Sequence, residues 1–239
     1  MTTTGTGLPA TAPRLLLAGP GDVVRVAGAV SVLVALVACG PVDAVLLALV
    51  LGGLVVPVVV RVPAALDAAY GTSLLLAAWC AVLELYQAVP WLDVVAHVAV
   101  TGLVAAVAHL VLARTTRAVP DPAAVHGRAA VPDATAVPGA TVVPGATAVP
   151  GETAGSDAAA VPHAAAVHGR AARTGAVVVT VALGLALSAL WEVGEYVGHA
   201  YVDEAIFVSY ADTVGDLVAG GVGSTAAGLW LVASGRRRA

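Results

Sequence analysis

The chain has 239 residues, of which 59% are hydrophobic and 11% charged, with a mean hydropathy of +0.95 and a net charge of −4. That mixture excludes an ordinary soluble domain, where charged residues make up roughly 25%, and it offers no basic surface for nucleic acid. The expected partner is the lipid bilayer.

Ala, Val and Leu dominate the apolar set, with 26 Gly and a single Phe, so helices built from this chain can approach one another closely. Cys39 and Cys80 lie in apolar stretches, and their spacing fits neither a disulfide framework nor a metal knuckle.

A hydrocarbon core about 30 Å thick requires roughly 20 apolar residues in a helix rising 1.5 Å per residue. Six runs meet that need, at about 23–39, 44–60, 64–85, 91–113, 174–198 and 212–233. The first two are short, and the second carries Gly52, Gly53 and Pro57, which predicts a kinked or tilted pair. Leu36 to Cys39 loosely resembles a lipoprotein cleavage site. The segment before it is long and another apolar run follows at once, so the first run is read as a span.

The expected architecture is all-α, a polytopic membrane bundle of six helices. Residues 1–22 form an N-terminal tail, 23–113 the first four spans, 114–173 a loop, 174–233 the last two spans and 234–239 a basic tail. Arginines mark alternate connections: Arg14 before the first span, Arg61 between the second and third, Arg114, Arg117, Arg170 and Arg173 around the long loop, and Arg236 to Arg238 at the end. The other connections hold Asp43, no charge at 87–90, and Asp203 with Glu204. The positive-inside rule then puts both termini in the cytoplasm of a bacterial cell, with the chain in its plasma membrane.

The long loop contains four Val-Pro-x-x-Thr-x hexads, beginning at Val131, Val137, Val143 and Val149, between two copies of Ala-Ala-Val-His-Gly-Arg-Ala-Ala starting at Ala123 and Ala165. Rich in Pro, Gly and Ala, it is expected to be disordered. His126, His163 and His168 read as repeated filler rather than as a metal tract.

An ionisable group at mid-bilayer costs about 2.5–3.5 kcal/mol on insertion scales, so each one inside a span requires a reason. Given the topology above, Glu84 falls near the outer end of span three, and Asp93 and His97 open span four. Glu192, Glu195 and His199 close span five, and Asp212 and Asp216 open span six. Spacings of three and four residues put each set on one helical face, and no Arg or Lys lies in that half of the bundle to neutralise them.

Crowded carboxylates in a low-dielectric setting must take up protons or bind a cation. The expected site is therefore His97, Glu192, Glu195 and Asp216, supported by Glu84, Asp93, His199 and Asp212. A carboxylate and imidazole set of this kind suits a divalent metal ion such as Mg²⁺, Mn²⁺, Zn²⁺ or iron. Asp93 and Asp212 also stand in first turns, where an Asp stabilises a helix with no further role. Asp67 and His109, near the opposite ends of their spans, could form a relay, although such a pair is more often structural.

Asp93-x-x-x-His97, Trp191-Glu192-x-x-Glu195 and Tyr210-x-Asp212-Thr213-x-x-Asp216-Leu217 followed by Gly223 resemble, in order and spacing, the YjdF-like family of uncharacterised bacterial inner-membrane proteins. The VanZ-like proteins are a more distant likeness. The resemblance covers about 64–228 without the repeat loop. It implies a membrane bundle with an acidic and histidine centre and supplies no established activity. That family often has another Asp or Asn where this chain has Gly220, so one polar member of the centre is absent here.

Three functions fit these residues. One is cation binding in a transporter, ion-coupled element or sensor. Another is a metal-dependent enzyme acting on a lipid-linked substrate at the outer leaflet, and the third is a structural bundle whose polar groups specify packing. A transport path would require polar groups continuing to the inner side, where only Asp67, Thr72, Ser73 and His109 hint at one. The topology is tested by reporter fusions: those at Asp43, Ala88 and Asp203 are expected to report outside, and those at Arg61 and Gly139 inside. A cytoplasmic signal at Asp203 would overturn the topology and the depth assignment together.

Overall fold

The structure, a computed structural model, describes residues 19–116 and 157–236. The Val-Pro hexads, His126, residues 1–18 and residues 237–239 lie outside the described residues. The described residues form eight helices, in order α1 Pro20–Ala38, α2 Pro41–Gly53, α3 Val56–Val60, α4 Ala64–Val82, α5 Leu85–Ala88, α6 Pro90–Thr116, α7 Asp157–Tyr201 and α8 Tyr210–Arg236. No strand occurs among the described residues. Counting α2 and α3 as one broken span, six helical segments are long and apolar enough to cross a membrane. The chain is thus an all-α bundle built as a multi-pass membrane protein.

The starts of these helices follow from local chemistry. Pro20, Pro41 and Pro90 are each the first residue of a helix, where a fixed φ fits and the missing N–H is no loss. Asp22, Asp43, Asp67, Asp93 and Asp212 all stand in first turns, where the helix dipole favours an anion. The expected kink is the break between α2 and α3, just after Gly52 and Gly53, with Pro57 in the first turn of α3.

One boundary moves substantially. α7 begins at Asp157, not near 174, so the stretch 157–173 assigned to the loop is helical. That stretch is dense in alanine, the strongest helix former, and opens on an Asp. A composition argument about core burial does not register this local preference.

Arg25 ties three elements together. Its Nη1 donates to Asp67 Oδ1 at 2.9 Å and its Nη2 to Asp67 Oδ2 at 3.0 Å, while Nη2 also reaches Asp22 Oδ1 at 2.9 Å. Nη1 donates as well to the Leu54 carbonyl at the α2 break, at 3.2 Å. A planar fork meeting a carboxylate on two bonds is the geometry to which guanidinium is suited. Asp67 is therefore a partner of Arg25, whereas His109 Nδ1 lies 3.0 Å from Thr180 Oγ1.

α6, α7 and α8 pack through small residues. A Cβ added to Gly102 would stand 2.8 Å from the Gly223 carbonyl, and one added to Gly223 would run into the Val98 carbonyl. One added to Gly228 would meet Val177 Cα at 3.1 Å. Backbone thus touches backbone between α6 and α8, the close approach that glycine permits in membrane bundles. Gly223→Ala is expected to force the two helices apart and to destabilise the bundle by about 1–3 kcal/mol, read as a lower unfolding temperature in detergent. An unchanged midpoint would show that the α6 and α8 backbones are not in contact.

Candidate metal centre

Pro90 starts α6 so that its first two turns present Asp93 and, one turn later, His97 on the same face. The end of α7 brings Glu192 and the first turns of α8 bring Asp216, both held in place by the glycine contacts lower in the bundle. His97 Nδ1 lies 3.2 Å from Asp93 Oδ1 and 3.2 Å from Asp216 Oδ1. One ligand atom from each of Asp93, His97 and Asp216 falls within 4.8 Å of the other two.

These spacings can be set against a coordination shell. Atoms bound to one ion at about 2.0–2.2 Å stand roughly 3.0–3.5 Å apart on neighbouring corners. Two of the edges in this group already have that length. The donor set, two carboxylates and one imidazole, is that of a hard or borderline divalent metal.

Glu192 lies on the other side of the ring. Its Oε1 is 3.8 Å from His97 Nε2, and the residue is only 7% exposed. That oxygen is buried with no hydrogen-bond partner among the described residues. Thr213, near the start of α8, approaches the same carboxylate. A buried, partnerless carboxylate oxygen aimed at an imidazole nitrogen is costly unless something offsets it.

The remaining expected residues are distributed around this group. Glu195 is half-buried one turn beyond Glu192, within electrostatic range of His97 and Asp216 but outside the three-residue cluster. Asp212 is partly buried in the first turn of α8, where its backbone N–H is capped by Ser209 Oγ at 3.2 Å. His199 Nδ1 lies 2.6 Å from the Ile206 carbonyl, fastening the turn between α7 and α8. Glu84 is exposed in a left-handed backbone conformation (φ 54°) just before α5. Asp93, expected only in support, is one of the three central groups.

Two features are absent from the sequence reading. Tyr86, on the short α5, donates to the Ala77 carbonyl at 2.9 Å. Burial, with smaller contributions from Cys80, Asp93, Glu195 and Asp216, holds its phenol well above the ordinary tyrosine range. It therefore lies beside the acidic group and stays protonated, available as a neutral neighbour. A lone Tyr between two apolar runs carries no periodic signal that would reveal this. Ser188, one turn below Glu192, is the other: its Oγ is also buried without a hydrogen-bond partner among the described residues.

No arginine among the described residues pairs with any member of this group; Arg25 is committed to Asp22 and Asp67 at the opposite end of the bundle. Comparison of the chain with protein-family models, with curated proteins and with solved structures finds no match. The chemistry of the site thus stands on its own geometry.

Proposed function

We propose that this protein is a multi-pass component of a bacterial plasma membrane, with both termini cytoplasmic, that holds a divalent cation between Asp93, His97 and Asp216 in the outer half of the bundle. The observation that carries this reading is the pair of 3.2 Å separations from His97 Nδ1 to two carboxylates on different helices. In that arrangement Nδ1 and the carboxylate oxygens of Asp93 and Asp216 are the ligands.

Glu192 then acts through His97. It stands 3.8 Å from Nε2, so a small closing of that gap would hold a proton there and orient the ring, while Nδ1, 3.2 Å from the Asp93 carbonyl, would exchange that contact for the metal. The gathering of Arg25, Arg61, Arg114, Arg170 and Arg173 at one end of the bundle supports the orientation.

Metal content and affinity of purified protein in detergent, measured with Mn²⁺, Zn²⁺ and Mg²⁺, provide the test. Asp93→Asn and Asp216→Asn each remove a charged ligand and are expected to abolish tight binding. Glu192→Gln is expected to weaken it about 10–100-fold, as for other groups that orient a metal-bound histidine. Glu195→Gln should change it least. Binding should weaken as pH falls, because protons occupy the imidazole and carboxylates that the metal requires, and should recover as pH rises. If wild-type protein binds none of the three ions and Glu192→Gln raises thermal stability without added metal, the groups are protonated packing elements and the proposal fails.

A further inference from the structure

The arginine end of the bundle carries a pair of cations with no acidic counterpart among the described residues. Asp22 and Asp67, at that end, both face Arg25. Arg61, which follows α3, and Arg114, in the last turn of α6, form no ion pair with any described residue, and both are exposed.

The fold brings these two together. Arg114 Nη1 donates to the Val60 carbonyl, 54 residues away in the chain. That carbonyl belongs to the peptide unit joining Val60 to Arg61, so the Arg114 guanidinium is held within about 6 Å of the Arg61 Cα. Arg61 itself stands in the left-handed region, at φ 57° and ψ 51°. α3 closes there in a Schellman pattern, with the Val62 N–H donating to the Pro57 carbonyl and the Arg61 N–H to the Val58 carbonyl, both at 3.1 Å. Glycine takes that left-handed position without strain, whereas any side chain adds a steric cost. An arginine kept in such a place points to a use for its side chain.

A basic residue after a helix is favoured by the dipole alone, and the positive-inside rule accounts for arginines at this end. Neither explains two guanidinia converging on one peptide unit, where their charges repel. An anion between them removes the repulsion. The surface beside them shows which kind: Val55, Val56, Val58 and Val59, leading up to Arg61, are all exposed, Val59 to 75%. A lipid phosphate brings acyl chains to cover that apolar strip, and a free phosphate leaves it bare. Thr115 and Thr116, next on α6, donate their hydroxyls to the Val111 and Leu112 carbonyls, both within α6, so the guanidinia are the donors at this spot.

We propose that Arg61 and Arg114 clamp the phosphate of one anionic lipid headgroup in the leaflet on the arginine side, with its acyl chains along the exposed valines of α3. A guanidinium fork donates two parallel hydrogen bonds to phosphate oxygens, and Arg114 keeps donors beyond the one given to Val60. A choline headgroup carries a cation that both arginines repel, so a headgroup with net negative charge is preferred. The inference rests neither on the acidic group nor on a metal there.

The test is native mass spectrometry of the full chain released from maltoside micelles, titrated with phosphatidylglycerol or with phosphatidylcholine of the same acyl chains. Wild type is expected to hold the first phosphatidylglycerol about tenfold more tightly, the difference one hydrogen bond to a charged group makes. Arg61→Gly, which removes the guanidinium and relieves the left-handed backbone, should lose that preference without lowering the unfolding temperature. Arg114→Gln should lose it too; where that variant does not give monodisperse protein, Arg61→Gly decides. Arg170→Gln, which removes an equal charge from an exposed position of α7 at the same end, should retain it. Inorganic phosphate at the lipid's concentration should not displace the lipid. Four results each overturn the proposal: no preference in wild type, an undiminished preference in Arg61→Gly, displacement by inorganic phosphate, or an equal loss in Arg170→Gln, the mark of a diffuse basic surface.

Discussion

The contact of α6 with α8 at Gly102 and Gly223 governs everything above it. With no Cβ on either residue the two backbones meet, and that meeting fixes both the distance between the helices and their relative slide. Asp216 stands seven residues, about 10 Å, above Gly223 and His97 five residues, about 7–8 Å, above Gly102, so the slide that brings the glycines together leaves carboxylate and imidazole within reach of one another. In lipid, where the solvent gives helices no hydrophobic reason to associate, such steric fit is the main means of setting register. The metal centre is accordingly a product of packing well away from it.

A second constraint organises the other half. Breaking α2 at Leu54 frees a backbone carbonyl in a setting without water, where an orphan acceptor costs several kcal/mol. Arg25 meets that carbonyl with the same guanidinium that it offers to Asp67 and Asp22. Trp79 Nε1 donating to Ser31 Oγ at 2.9 Å and Tyr70 donating to the Gly53 carbonyl at 3.2 Å continue the same satisfaction of polar atoms between α1, α2 and α4.

Much of this was legible in the chain itself because bilayer thickness and helical rise leave little freedom. Six apolar runs could only be six helices, and spacings of four put Asp93 with His97 on one face and Asp212 with Asp216 on another. What periodicity cannot supply is the rotation of one helix against its neighbour. Asp93 reads in the sequence as a supporting residue that could equally be a first-turn cap, and only the position of Asp216 across the interface puts it at the centre of the group. Glu195 shares the face of Glu192, yet the α7 orientation leaves it outside the cluster. Arg25 sat inside an apolar run 42 residues from its partner Asp67, a pairing that no local pattern encodes. Thr101 and Ser188 give no local signal, because hydroxyls cost too little on a hydropathy scale to stand out.

The length of the fifth span has a mechanical consequence. Gly169–Tyr201 runs for 33 residues without interruption, about 50 Å of helix against a hydrocarbon core of about 30 Å. Some 20 Å of it must therefore tilt away from the membrane normal or stand clear of the lipid at the arginine end. Glu192 sits on the same rod, about 35 Å from Gly169. A rotation of about 10° pivoting near that carboxylate would sweep the far end through about 6 Å, so large excursions at the arginine end of α7 turn the helix only slightly where it meets His97.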